Sequence, residues 1–211
     1  MTTIAQTLTD IEQLQAEIAA YIGSDPSADT PFVDEIRRLL TVYYFDLLAH
    51  SSLDTARTDI QTQTTANPFV GKYFDLSDSP GVLEDYVRWL NTGGFFIAWC
   101  IYEKFVRACY TRIFNENQLL PLKDTYQSIL THQGLGKATA GRMRVEFSLL
   151  RFVRSTLQRQ EPYLNRQTRK FDLGGETYVL EAGQPVKQIR LMTVIQLIWR
   201  HYCTLQSPSS A

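Results

Sequence analysis

Hydrophobic residues recur along most of this chain at intervals of three and four, the spacing that lines up one face of an α-helix. Within residues 2–22 they fall at Ile4, Leu8, Ile11, Leu14, Ile18 and Tyr21, a single stripe with Gln6, Asp10, Glu12, Gln13 and Glu17 filling the other faces. Gly23-Ser24-Asp25-Pro26 supplies the residues that stop that helix. A second helix is predicted to start near Thr30-Pro31, where proline suits the first turn, and to run through Phe32, Ile36, Leu39, Leu40, Tyr43 and Leu47. A weaker polar extension carries it past Ser51 to about Thr62. Residues 63–82, rich in Thr, Asn, Pro, Gly, Asp and Ser, read as a long connection held against the domain by Phe69, Tyr73 and Phe74. The most apolar stretch, 82–114, has hydrophobic residues around most of its circumference and is predicted to lie at the centre of a bundle. Gly93-Gly94 is expected to kink it or divide it in two. Further helices are predicted over 123–132 and 142–159, separated by a loop at 134–141.

The period then changes. Lys170-Phe171-Asp172-Leu173 and Glu176-Thr177-Tyr178-Val179-Leu180 alternate around Gly174-Gly175, which is a β-hairpin signal. A last helix is predicted over 187–205. The expected fold is therefore mainly α, a helical bundle with a small C-terminal β-hairpin at about 168–186. The domain reading is an N-terminal amphipathic helix at 1–24, one helical domain at 25–206, and a disordered tail at 207–211. The narrow N-terminal stripe fits either a seam with another chain or a helix laid on its own domain.

Composition adds bounds. With 211 residues, 44% of them hydrophobic, the chain can bury a sizeable core without metal or disulfide staples. Its cysteines, Cys100, Cys109 and Cys203, are odd in number and form no CxxC pair. They read as reduced core thiols of a cytoplasmic protein. The longest uncharged apolar run, 89–102, falls short of the ~20 residues that span a bilayer, and no secretory leader is expected. Overall the net charge is −1, which hides a polarity. Residues 1–86 hold 14 acidic and 4 basic side chains, whereas 134–170 hold 9 basic and 2 acidic. The basic set is Lys137, Arg142, Arg144, Arg151, Arg154, Arg159, Arg166, Arg169 and Lys170. Such asymmetry marks a polyanion-binding face, or two halves that attract each other within a fold or across a dimer.

Candidate chemistry is sparse. Gly134-Leu135-Gly136-Lys137-Ala138 resembles part of a phosphate loop, but Thr131 stands where the first glycine is required and Ala138 where Ser or Thr must follow the lysine. A helix precedes it, where a nucleotide fold has a strand. His50, His132 and His201 lie far apart with no second ligand at i+3 or i+4, so no metal or cofactor is expected. Glu103 sits among Trp99, Cys100, Ile101, Phe105 and Val106, where a bare carboxylate is costly. It is expected to pair with Arg144, Arg151 or Arg154 and so tie two central helices.

Three stretches carry a family resemblance: 93–105 (Gly93-Gly94-Phe95 through Phe105), 149–158 (Leu149-Leu150-Arg151 through Gln158), and the hairpin followed by a last helix. Together, within 82–205, they resemble the HEPN superfamily of small helical proteins from prokaryotic toxin–antitoxin and antiphage systems. The resemblance implies a dimer in which an arginine, a following polar residue and a nearby histidine cleave RNA without metal. A histidine can move a proton near neutral pH while an arginine holds the phosphate. Here Arg154 stands at the arginine position and Ser155 at the polar one, but Gln158 or Arg159 occupies the histidine slot. Neither exchanges a proton at neutral pH. The implied protein is thus a non-catalytic, dimeric relative acting through partner or nucleic-acid binding. Two alternatives stand beside it: a metal-free endoribonuclease whose acid–base group comes from elsewhere, such as His201, and an adaptor docking a partner protein through its N-terminal helix.

Overall fold

The computed structural model describes residues 4–25, 30–66, 79–116, 120–159, 168–173, 176–184 and 189–206, with the side chains of 52–66, 79–87, Arg159 and Glu176 left aside. Its elements run α1 (Ile4–Ser24), α2 (Pro31–Ala66), α3 (Ser79–Phe114), α4 (Leu122–His132), α5 (Lys137–Arg159), β1 (Arg169–Leu173), β2 (Glu176–Leu180) and α6 (Leu191–Gln206). The fold is a mainly α bundle with one small antiparallel hairpin, as the periodicities predict. The turn glycines, the connection 67–78, Arg166 and the tail 207–211 lie outside the described residues.

α3 is the hub, packing against α2, α4, α5 and α6. Its Phe95, Ala98, Trp99, Ile101, Tyr102, Phe105, Val106 and Cys109 are all buried, in keeping with its apolar circumference. α6 is nearly as enclosed, with Leu191, Val194, Ile195, Leu197, Ile198 and Tyr202 in the core. β1 lies on α5; Phe171 and Leu173 point inward while Asp172 faces out, the period-two signature of a half-buried strand.

α1 resolves the choice left by its narrow stripe. Ile11, Leu14 and Ile18 are buried, and the helix packs on α2 and α6 of its own chain. Two side-chain hydrogen bonds fix it there: the Trp199 indole N–H donates to Glu17 Oε1 (2.9 Å) and the Tyr44 hydroxyl donates to Glu12 Oε1 (2.9 Å). An adaptor docking through that stripe therefore loses its docking element, because the apolar side is already spent.

Two further expectations are corrected. The loop at 134–141 ends early: Gly134, at φ 58, closes α4, and α5 begins at Lys137 with Ala140 N–H bonded to the Gly136 carbonyl. Only a glycine-like backbone makes that turn cheaply, so the Gly134–Gly136 pair serves a helix–helix connection and not a phosphate. Secondly, of the two outcomes expected at Gly93-Gly94, division is the one overturned, because α3 runs through both glycines as one helix. The two glycines differ in role. A Cβ on Gly94 would collide with Leu191 Cδ2 of α6, so this glycine lets two central helices approach closely; a Cβ on Gly93 would meet nothing among the described residues. Gly94→Ala is expected to destabilise by about 1–3 kcal/mol through overpacking. Gly93→Ala should stabilise by up to ~1 kcal/mol through helix propensity. Urea unfolding of both variants checks the contrast, and equal shifts would contradict it.

Candidate functional site

The most developed polar constellation brings together four elements. Glu146 of α5 sits on the same side as Met143, Phe147 and Leu150, and His201 of α6 lies among Ile198, Tyr202 and Leu205. Glu146 Oε1 accepts a hydrogen bond from Arg200 Nη2 (2.6 Å), and Oε2 accepts one from His201 Nε2 (2.8 Å). A carboxylate only accepts, so Nε2 carries the proton and Nδ1 is the lone-pair nitrogen. Nδ1 in turn lies within hydrogen-bond distance of the hydroxyls of Tyr102 of α3 (2.5 Å) and Tyr126 of α4 (2.9 Å); its single lone pair accepts from one of them, and the two phenols are hydrogen-bonded to each other. Stacked below, Phe147 lies 4.2 Å from the Tyr126 ring, centroid to centroid.

Burial pushes His201 below its ordinary value, and the bond to Glu146 offsets this only in part. For Glu146, burial alone would raise the carboxyl, yet the hydrogen bond from His201 and the charges of His201, Arg200 and Arg142 hold it below the usual range. The resting state is therefore a neutral imidazole against an ionised carboxylate, with burial also raising both phenols. Chemically this resembles a proton-transfer relay. Its exposure decides otherwise: His201 and Tyr102 are 0% exposed, Glu146 and Tyr126 1%. No substrate reaches these atoms, and every one of them is already satisfied. The cluster is a core clasp joining α3, α4, α5 and α6, and His201 is in no position to serve an RNA-cutting site.

The predicted site residues fare differently. Arg154 is half-buried, its guanidinium 5.7 Å from the ring centroid of buried Trp99 in a cation–π contact; Ser155 and Gln158 face solvent. Arg169 likewise covers Phe152 at 5.2 Å. Lys137, Arg144 and Arg151 are exposed and, seven residues apart, share one side of α5; Arg142 is exposed but turns toward the side of Glu146 and Arg200. Lys170 is exposed on β1. The side chain of Arg159 and the whole of Arg166 are outside the described residues. The basic residues therefore do not form a single face; three of them form a stripe.

Glu103 does pair with an arginine, but from its own helix: Arg107 Nη2 and Nε donate to Oε1 at 2.9 and 3.2 Å. An i,i+4 partner reaches a half-buried carboxylate more directly than one across the bundle. The carboxylate that ties helices is Glu146. A charged residue flanked at i−3, i+1 and i+4 by Met143, Phe147 and Leu150 was the available signal for it. The cysteines also separate. Cys109 is buried and Cys203 half-buried, with burial pushing each thiol up to about 11, whereas Cys100 lies on the outer face of α3 rather than in the core.

What the bundle leaves open is apolar. Along the seam where α2 meets α3, Val42 is 57% exposed, Trp89 75% and Ile97 54%, and Phe45, on the outward face of α2, is 63% exposed. Two shallow grooves share Leu39, Val42 and Ile97 as a common wall; one is floored by Gly93 and Gly94, the other by Phe96 and Cys100. The first holds about 290 Å³, at the small end of ligand sites, which run from roughly 300 to 1,000 Å³. That suits a protruding side chain better than a cofactor. Among the described residues no cluster of three His, Cys, Asp or Glu could hold a metal ion, and no helix is long and apolar enough to cross a membrane.

Comparison of the chain with protein-family models, curated proteins and solved structures finds no match.

Proposed function

We propose that this chain is a non-catalytic, HEPN-like helical protein of the cytoplasm, acting as a homodimer in a defence or toxin–antitoxin setting. One contrast carries the reading. The residues best suited to proton transfer, Glu146 and His201, are sealed in the core, while the solvent face offers adhesive apolar side chains at Val42, Phe45, Trp89 and Ile97. That carboxylate–imidazole pair is inside, and these associating side chains are outside. Arg154 is engaged with Trp99, and its helical neighbours Ser155 and Gln158 bring no proton-transfer group. Mixed RNA incubated with the purified chain in the absence of metal should stay intact. Cleavage that disappears in Arg154→Ala would overturn the non-catalytic reading in favour of the metal-free endoribonuclease.

The exposed stripe of Lys137, Arg144 and Arg151 favours RNA as an additional partner. Three phosphate contacts would make log K fall against log salt with a slope of about −2 on single strands. Retention on RNA that ignores salt, or persists unchanged when Arg144 and Arg151 are both replaced by glutamate, would remove RNA from the reading.

A further inference from the structure

We propose that the α2–α3 seam is closed by a second copy of this chain, with the two α2 helices running antiparallel about a twofold axis at Val42. The inference rests on the dimeric reading above and gives it a surface.

Val42, Trp89 and Ile97 stand out from this one seam and Phe45 from the outward face of α2 one turn on from Val42, whereas a monomer usually scatters its exposed apolar residues singly. On α2 the outward positions Arg38, Val42, Phe45 and Ala49 follow one another at four, three and four, the rhythm of a helix that packs against another helix. No described element covers them.

Charge supplies the occupant and the register. Arg38 is exposed and Asp46 half-exposed, each four residues from Val42, and neither makes an ion pair among the described residues. A twofold axis through an antiparallel helix pair matches each residue to the one equally far on the other side of the axis. Centred on Val42, it sets Arg38 opposite the partner copy's Asp46, and does so twice. The same symmetry brings the partner copy's Phe45 opposite Leu39, on the wall shared by both grooves. Moving the axis to lie between Val42 and Phe45 would match Arg38 with uncharged Ala49 and forfeit both pairs. An unrelated partner would have no reason to mirror this spacing; a second copy mirrors it by identity.

Gly93 fits the same account. A mid-helix glycine costs ~1 kcal/mol against alanine, and nothing among the described residues would touch a Cβ there. As the floor of a groove it leaves depth for an incoming side chain. Arg154, by contrast, packs on Trp99, which is turned into the bundle toward α5 and away from the seam. This dimer therefore keeps its two Arg154 side chains apart, so no ribonuclease site assembles across it.

Sedimentation velocity on the full chain across a dilution series tests the proposal. The native sequence should pass from dimer to monomer, and Phe45→Glu should weaken association by at least about 30-fold. Its thermal transition should match that of native monomer, because Phe45 is exposed. Arg38→Asp and Asp46→Arg should each weaken association about 10-fold, and the double swap should return it to within about 3-fold of native. A dimer that ignores Phe45→Glu would overturn this surface and leave the dimeric reading intact. Single swaps that weaken without recovery in the double variant would overturn the antiparallel register. A native chain that stays monomeric at every concentration would overturn both the surface and the dimeric reading.

Discussion

Replacing Glu146 with alanine is expected to remove about 3–5 kcal/mol of folding free energy, the usual cost of breaking one side of a buried charged network. For a domain whose total stability is of order 5–15 kcal/mol, that is a large share. Three losses add up at this position. His201 Nε2 keeps a buried N–H with no acceptor, Arg200 loses its 2.6 Å carboxylate, and the methylenes between Met143 and Phe147 leave a void. Urea titration should show an earlier midpoint with the slope unchanged. Glu146→Gln is the gentler companion, because its amide oxygen can still accept from His201; it should cost about 1–3 kcal/mol. If the alanine variant unfolds within about 1 kcal/mol of native, the cluster is not the clasp described here.

Acidification provides the second large effect, and its sign follows from the two shifts. Folded His201 is held below its ordinary value of 6.5, chiefly by burial. Below that pH the unfolded chain takes up a proton that the folded chain refuses, so stability falls as pH falls. Each pH unit over which the two states differ by one proton costs about 1.4 kcal/mol. Glu146 adds to the loss at lower pH. Its folded carboxyl lies below 4.5, so the stabilisation it gives above that value disappears as pH drops through the folded pKa. Stability measured by urea unfolding should therefore be flat near neutrality and decline below about pH 6.5. His201→Gln should remove the first part of that decline. A native profile with no slope between about pH 7 and 5 would contradict a neutral buried imidazole. At the alkaline end, burial holds Tyr43 up at about 12 and raises Tyr102 and Tyr126 as well, so unfolding should become easier above pH 10, where exposed phenols ionise.

These two results concern the clasp, which sequence reading did not assemble. In the sequence His201 stands as one of three scattered histidines and a candidate acid–base group, and Glu146 as one of the two acidic residues within 134–170. They are 55 residues apart, and their tyrosine partners stand 99 and 75 residues from His201. A helix pattern tells which side of each helix is apolar, but not which helix it meets or at what height. That information resides in the packing of α3, α4, α5 and α6 and in no single segment. Glu103 illustrates the same limit from the other side. Its need for an arginine was legible from its apolar neighbours, yet the nearer Arg107, one turn along the same helix, was the one that met it.

The helices themselves, the hairpin strands at Arg169–Leu173 and Glu176–Leu180, and the central place of α3 were determined by the sequence alone, because periodicity is local and costs no long-range information. So was the continuation of α2 beyond Ser51. Tertiary structure decided the rest. It spent the α1 stripe on the chain's own core, enclosed His201, turned Arg154 onto Trp99, and left Val42, Trp89 and Ile97 uncovered along one seam with Phe45 on the outward face of α2. The physical reason is that an amphipathic face states only that it must be buried. Which surface buries it, and which apolar side chains remain for another molecule, is settled by the competition among all the faces at once.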